Sequence, residues 1–480
     1  MPIASLPSSF GVGGFGKESY RFVDILSDAG FKLWQILPLN ALGYGHSPYQ
    51  PLSSYAIDEI YTDLSDLKRS GFLSEIPSYR NGSERIDYEA VRAYMAPLLL
   101  KAFESAIEKE KNNVLAFIYT HPWVKVWGLY SYYKKKNELK EWSAWPKDGR
   151  DRIEDISSLN DDERNGVLYE AWVQMNLYRE WKSLRAHANR KGIKIIGDLP
   201  FYVGYDSADV WGNQEFFDID MNSKKPISVA GVPPDYFSKD GQRWGNPIYK
   251  WDLLEKSGFS FWIDRIKGNQ ELYDIVRIDH FRAFDTYWKI DAKEKTAKNG
   301  EWVLAPGYKL FDTLKEEIKD IEIIAEDLGD LRPEVLALRD HYGFPGMEVI
   351  EFDFYDSEVT KKRDALSKEN AVLYTGTHDN MPFKAFFSSL KEKEKKEWIA
   401  ALENKGFIGD ISKNIIEYCL SSVASYAIFP LSDLLNLGEE ARLNEPGSSN
   451  QSNWSWSLRD YKDVLDKVPY WKEVNGKYNR

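Results

Sequence analysis

Seven short runs of apolar, largely β-branched residues punctuate this 480-residue chain, and each ends in polar or acidic residues. They are KLWQILPL (32–39), IKIIGDLPF (193–201), IVRIDHF (275–281), IEIIAEDLG (321–329), MEVIEFDF (347–354), AVLYTGTHDN (371–380) and YAIFPLSDLL (426–435). A run that is apolar on both alternating faces has to be covered on both, as in a parallel sheet flanked by helices. Helix-like stretches lie between the runs. ESYRFVDILSDAG (18–30) places Tyr20, Phe22, Val23, Leu26 and Ala29 at helical spacing, with Gly30 as a stop. DTLKEEIKD (312–320) and RPEVLALRDHYG (332–343) alternate with strands in the same way. This order predicts an α/β fold. Seven visible strands favour a (β/α)8 TIM barrel over an open doubly wound sheet, with an eighth strand expected before residue 193.

Two stretches interrupt the alternation. Residues 60–190 read as a largely helical insertion. Residues 202–262, rich in Gly, Pro, Asp and aromatics, read as an irregular loop subdomain over the active site, and loops of that length are usually functional. KEKEKKEWIAAL (391–402) reads as a solvated helix face. There is no repeat and no low-complexity linker. Residues 1–480 are therefore expected to be one barrel domain carrying insertions.

Composition narrows the partners. Asp and Glu number 75 against 63 Lys and Arg, a formal net charge of −12, which argues against nucleic acid or an anionic membrane as the main partner. Cys419 is the one cysteine, so no intrachain disulfide can form. The first residues have neither the basic start nor the apolar core of a signal peptide, and no stretch approaches the ~20 apolar residues of a membrane span. The expectation is a cytoplasmic protein.

Four runs deliver a carboxylate at their C-terminal end. In Arg277-Ile278-Asp279-His280 the strand period of two sets Arg277 and Asp279 on one side. The arginine is expected to favour the ionised carboxylate that a nucleophile requires. In Ala325-Glu326-Asp327-Leu328-Gly329 the two acids point to opposite faces, one into a barrel mouth and the other to cap the next helix. Partial burial would hold the inward one protonated, as a general acid requires. Thr377-His378-Asp379-Asn380 and Gly197-Asp198 end two further runs. Singly, each has a structural reading too: a rim ion pair, capping acids, a helix cap. Together they gather on the face of a (β/α)8 barrel where catalytic residues sit. Carboxylates with one Arg and two His suit cleavage of a glycosidic bond, which needs one ionised and one protonated carboxyl group. The chain also carries 17 Trp, 29 Tyr and 24 Phe, which suit either stacking on sugars or a packed core.

Other chemistries lack their signatures. Gly11 to Gly16 matches G-x-G-x-x-G, but no strand leads into it. There is no Walker motif, no H-E-x-x-H, no cysteine pair and no G-x-S-x-G. No cofactor and no metal is expected.

Several segments together resemble the amylomaltases, or 4-α-glucanotransferases, of glycoside hydrolase family 77. They include WQILPLNALGYGHSPYQPLSSYA (34–56), IIGDLPFYVGYDSADVW (195–211), AGVPPDYFSKDGQRWGNPIY (230–249), IVRIDHFRAF (275–284), WVLAPG (302–307), IIAEDLG (323–329), GFPGMEVIEF (343–352), YTGTHDN (374–380) and LLNLGEEARLNEPG (434–447). The resemblance implies a (β/α)8 barrel with inserted subdomains. It implies Asp279 as nucleophile, Glu326 as general acid/base and Asp379 as the third acid, which binds sugar hydroxyls. Arg277 and His378 would hold the nucleophile and the donor sugar, with Asp198 beside them and the Tyr49 ring next to the scissile bond. Gln242 and Trp244 would lie over the acceptor side, with Trp211 earlier in the same stretch. The implied substrates are α-1,4-glucans (maltooligosaccharides and dextrins from starch or glycogen), with glucose as an acceptor. His46 and Met381-Pro382 depart from the family pattern. An amylase-type hydrolase and a catalytically silent glucan-binding protein are the competing readings.

Overall fold

The computed structural model describes residues 1–79, 85–151, 158–234, 238–329, 331–353, 368–448 and 450–480. The last residue of the 347–354 run and residues 235–237 of the 202–262 stretch lie outside these. Eleven strands are found among the described residues. They are β1 (Leu33–Gln35), β2 (Lys194–Leu199), β3 (Ser228–Val232), β4 (Gln242–Pro247), β5 (Ile275–Ile278), β6 (Thr286–Asp291), β7 (Gly300–Leu304), β8 (Glu322–Ala325), β9 (Gly346–Val349), β10 (Ala371–Tyr374) and β11 (Tyr426–Ile428).

The seven apolar runs become parallel strands. β1-β2-β5-β8 form one sheet, and β9, β10 and β11 form another with β10 at its centre. The backbone N–H of Ala325 donates to the carbonyl of Pro345 (2.9 Å), which brings β8 to the approach of β9. Side chains from all seven strands meet in one apolar cluster: Leu33, Ile196, Ile275, Ile324, Met347, Val349, Val372, Tyr374, Tyr426 and Ile428. That is the barrel interior. The alternate residues, among them Ile195, Val276, Ile278 and Ile323, join the main core with Phe22 and Leu26 of the helix Lys17–Asp28, Trp181 of Asp161–Arg190, Trp262 and Ile266 of Ser260–Leu272, and Leu310 and Leu314 of Gly307–Glu317. Both faces are thus covered, as the uninterrupted apolar runs require.

The architecture is a (β/α)8 barrel with insertions, seven of whose strands are among the described residues. The eighth strand expected before residue 193 is not found there. That stretch supplies β1 alone. Its remaining apolar residues recur at helical spacing in Leu64–Arg69, Tyr88–Thr120, Trp123–Lys136 and Asp161–Arg190. The last of these begins at a capping box, in which Asn160 and Glu163 satisfy each other's backbone N–H groups.

The 202–262 stretch has more regular structure than its composition predicts. β3 and β4 complete an antiparallel sheet with β6 and β7, in the order β4-β3-β6-β7. β4 pairs with β3, and the second partner of β3, β6, lies beyond residue 262; Gly and Pro mask the period-two pattern. Gly231 is required for close approach, because a Cβ there would come 2.2 Å from the Gln242 carbonyl oxygen. A 3-10 turn, Phe281–Phe284, links the end of β5 to β6, so this sheet hangs at the rim beside Asp279.

Gly197 of β2 lies against the buried Tyr273 ring, and a Cβ at that position would meet its Cδ2 at 2.0 Å. Gly197→Ala is expected to destabilise the protein by about 1–3 kcal/mol through overpacking. Gly476→Ala, on a helix with open space around the position, should be neutral or slightly stabilising. Thermal unfolding of the two variants beside the parent protein checks both.

Candidate active site

Strand parity builds the rim. Ile196, Ile275 and Ile324 fill the interior, and two residues further along each strand stand Asp198, Arg277 and Glu326, with Asp279 two beyond Arg277. Asp198 and Arg277 are direct partners in the β2–β5 register. Arg277 Nη1 donates to both Asp198 oxygens (2.7 and 2.6 Å), and its Nη2 donates to Asp279 Oδ1 (3.2 Å). Its Nε faces Met347 Sδ at 3.4 Å. The ladder continues past the strands: Asp279 N–H donates to the Leu199 carbonyl (3.0 Å) and Glu326 N–H to that of Ile278 (3.0 Å). Glu326 Oε2 accepts from the His280 N–H (2.7 Å), and Oε1 accepts from the Leu328 N–H (3.2 Å). His280 reaches that position through a left-handed backbone, φ 53°.

The remaining residues arrive on loops. Tyr49 OH donates to Asp198 Oδ2 (2.6 Å), lies 3.4 Å from His378 Nδ1, and its ring stacks on His378 with centroids 4.9 Å apart. His378 Nε2 is 3.5 Å from Asp379 Oδ1. On the other flank Trp244 sets its ring edge-to-face with His280 (4.9 Å), and its Nε1 donates to Gln242 Oε1 (3.2 Å). Gln50 Nε2 reaches the Trp244 carbonyl (3.2 Å). All nine residues singled out in the sequence therefore surround one rim.

Burial sets the electrostatics. It pushes the Glu326 carboxyl above the usual range, against the pull of Arg277 and of the His280 and Leu328 N–H groups. Burial also pushes Asp279 well up. Arg277 pulls it down, while Glu326, Asp198 and Asp379 push it further up. The lowering expected for Asp279 is thus present as the Arg277 contribution but is outweighed by desolvation. Arg277 touches Asp279 directly, and the Asp279 side chain keeps 29% exposure; both favour the anion there against the burial. Desolvation drives the half-buried His280 ring down to about 3, and it stays neutral.

Two expectations are corrected. Asp327 does not cap the next helix. It is buried, and it accepts from the Met347 N–H (2.7 Å) and pairs with Arg339, tying β8 to β9. Trp211 is core rather than rim: its Nε1 donates to the carbonyls of Gly149 and Arg150 (3.2 Å each), and its ring packs on Tyr130 and Trp145. The sequence reading missed Trp454, whose ring lies 5.8 Å from Tyr49 and 5.7 Å from His378, and Asn444, whose Nδ2 donates to Asp379 Oδ1 (2.6 Å). Asn444 stands in the segment LLNLGEEARLNEPG (434–447), and the one signal of Trp454 was an aromatic pair within a polar run, SNWSWS (452–457). Of the departures from the family pattern, His46 stacks on Tyr88 (4.7 Å). Met381 and Pro382 line a cavity with Arg277 and His378.

A barrel whose C-terminal rim gathers carboxylates, a buried arginine and aromatic rings is that of a carbohydrate-active enzyme. The family model described as 4-alpha-glucanotransferase, glycoside hydrolase family 77, matches residues 1–462, and the chain belongs to that family. The 4-alpha-glucanotransferase of Clostridium butyricum is 41% identical over 470 residues, covering 96% of this chain and 96% of its own. That of Aquifex aeolicus is 40% identical over 482 residues, covering 100% of this chain and 98% of its own. The amylomaltase of Streptococcus agalactiae, solved in complex with acarbose, matches with a TM-score of 0.94 at 35% identity, covering 100% of this chain and 98% of its own.

Asp198→Ala would strand the buried Arg277 charge with Asp279 as its one remaining carboxylate contact. The expected cost is about 3–5 kcal/mol of stability together with loss of activity. Tyr49→Phe keeps the ring stack and loses only the hydroxyl contacts, so it should lower activity with a small change in thermal unfolding temperature. Melting curves and turnover measured on both variants separate the two effects.

Proposed function

We propose that this 4-α-glucanotransferase moves α-1,4-glucan segments from a maltodextrin donor to the 4-OH of glucose or another glucan by retaining double displacement. Asp279 is the nucleophile and Glu326 the acid/base. The observation that carries the reading is their placement on adjacent strand ends: Glu326 is fastened by its own N–H and by that of His280, and Asp279 is fastened to Arg277. Glu326 gives its proton to the glycosidic oxygen as Asp279 attacks the anomeric carbon, and the donor's reducing-end fragment leaves. Glu326 then takes the proton of the acceptor 4-OH, which attacks the same carbon, releases Asp279 and restores the α-linkage.

Asp379 and His378 hold hydroxyls of the donor sugar, with Asp198 near them and the Tyr49 ring beside it. Gln242 and Trp244 cover the acceptor side and exclude water, which favours transfer over hydrolysis. The carboxylates carry the chemistry without a cofactor. The lone cysteine fits a cytoplasmic setting. Among the described residues no helix is long and apolar enough to cross a membrane.

Maltotriose is the test substrate. Transfer yields glucose and a ladder of longer maltodextrins at nearly constant total reducing ends. Rising reducing ends without a ladder would identify a hydrolase instead. Asp279→Asn should abolish turnover of maltotriose and of α-glucosyl fluoride alike. Glu326→Gln should lose about 10²–10⁴-fold on maltotriose but far less glucosyl-enzyme formation from the fluoride, whose leaving group needs no proton. In the parent protein activity should fall on the alkaline side as Glu326, held above the usual carboxylate range, releases its proton. Glu326→Gln should lack that limb.

A further inference from the structure

The turn that carries His378 and Asp379 rests on a second pair of acids behind the rim. Asp433, buried, accepts from Thr375 Oγ1 (2.6 Å) and from the Phe383 N–H (2.8 Å), which fixes the turn at both ends. Glu351, in the short helix Ile350–Asp353 after β9, holds its middle. Its Oε2 accepts from Asn380 Nδ2 (2.8 Å). Asn380 Oδ1 in turn accepts from the N–H and the Oγ1 of Thr377 (2.9 and 2.8 Å), and Thr377 Oγ1 accepts from the Asp379 N–H (3.2 Å). An unbroken hydrogen-bonded chain therefore runs from Glu351 to the backbone of Asp379.

Glu351 is 6% exposed, and its Oε1 has no hydrogen-bond partner among the described residues. An ionised carboxylate left that way would be costly to bury, whereas a neutral carboxyl group is cheaper. Burial accordingly pushes Glu351 up to about 8. The Asn380 bond and Arg442 oppose the shift, and Asp433 adds to it. A neutral carboxyl accepts from Asn380 through its carbonyl oxygen, as an amide would.

We propose that Glu351 is a positioning residue for glucan transfer, setting through Asn380 and Thr377 the turn that presents His378 and Asp379 to the donor sugar. The proposal rests on the reading of Asp379 as a substrate-binding acid. It adds a requirement of its own: an oxygen acceptor at position 351, and not a charge.

The experiment compares the full-length Glu351→Met, Glu351→Gln, Asn380→Ala and Asp379→Asn variants on maltotriose, with circular dichroism to verify folding. Glu351→Met should lower kcat about 10- to 100-fold with a smaller change in KM. Glu351→Gln should restore a rate close to that of the parent protein. The Glu351→Met/Asn380→Ala double variant should be no worse than Asn380→Ala alone, since both break one chain. A parent-like kcat for folded Glu351→Met, a Gln variant as defective as the Met variant, or losses that multiply in the double variant would each overturn the proposal. If the Met variant does not fold, Asn380→Ala decides: a loss of the same order supports the proposal, and a parent-like kcat overturns it. Asp379→Asn separates the two levels. If it stays active, the underlying reading fails. If it is inactive while Glu351→Met turns over normally, only the role given to Glu351 fails.

Discussion

The guanidinium of Arg277 is the charge around which the barrel mouth is organised. It is 4% exposed, at a depth where an unpaired cation would be intolerable. Asp198 on β2 neutralises it with both oxygens, which is possible only because the two residues are register partners in neighbouring parallel strands. A one-residue slip between β2 and β5 would turn one of these groups into the apolar layer shared with the outer helices. The ion pair and the barrel register are therefore one constraint, and Asp279, two residues along from Arg277, inherits its position from it. The β5–β8 pairing extends the logic. Because Ile278 stands opposite Ala325, Glu326 is the next residue out, beside the end of β5.

The same low-polarity setting acts on both carboxyl groups, and by itself it would disable one of them. Burial that keeps a proton on Glu326 suits an acid, but applied equally to Asp279 it would quench a nucleophile. Arg277 pulls on both carboxyls but contacts only one. It touches Asp279 at 3.2 Å, while Glu326 receives two backbone N–H groups that carry no full charge. Under the proposed mechanism, hydrogen bonds fix Glu326 as the acid and contact with a cation favours the anion on Asp279.

Period-two arithmetic made much of this legible. The runs carry an apolar inward residue two places before Asp198, Arg277 and Glu326, with Asp279 two beyond Arg277, so strand, face and rim follow together. Where a polar residue reaches across the fold, the pattern is silent. Asp327 looked like a helix cap because its sequence neighbours suit one, yet its partners are Met347 and Arg339. Trp211 shares a stretch with Trp244, but its indole N–H is satisfied by carbonyls some 60 residues earlier, and it belongs to the core. β3 and β4 were hidden because Gly and Pro interrupt their alternation and the second partner of β3, β6, comes after residue 262. Asn444 and Trp454 join the site from loops with no strand pattern to point them inward. Except for the β3–β4 hairpin, these misses are long-range partner choices, which local sequence does not encode.

The rings at the site show how loops acquire the precision that strands receive from their ladders. Tyr49 and Gln50 are adjacent, yet they serve opposite flanks. Tyr49 stacks on His378 and bonds Asp198, while Gln50 holds the backbone of Trp244, which packs on His280. The segment is anchored from behind by His46 on Tyr88, at the start of the long helix Tyr88–Thr120. A displacement of this one loop would therefore disturb the Asp198–His378 side and the Trp244 side together. Under the proposed mechanism that coupling has a chemical consequence: the wall proposed to hold the donor sugar and the wall proposed to shield the acceptor side are set by the same few residues, so loosening one would open the other to water.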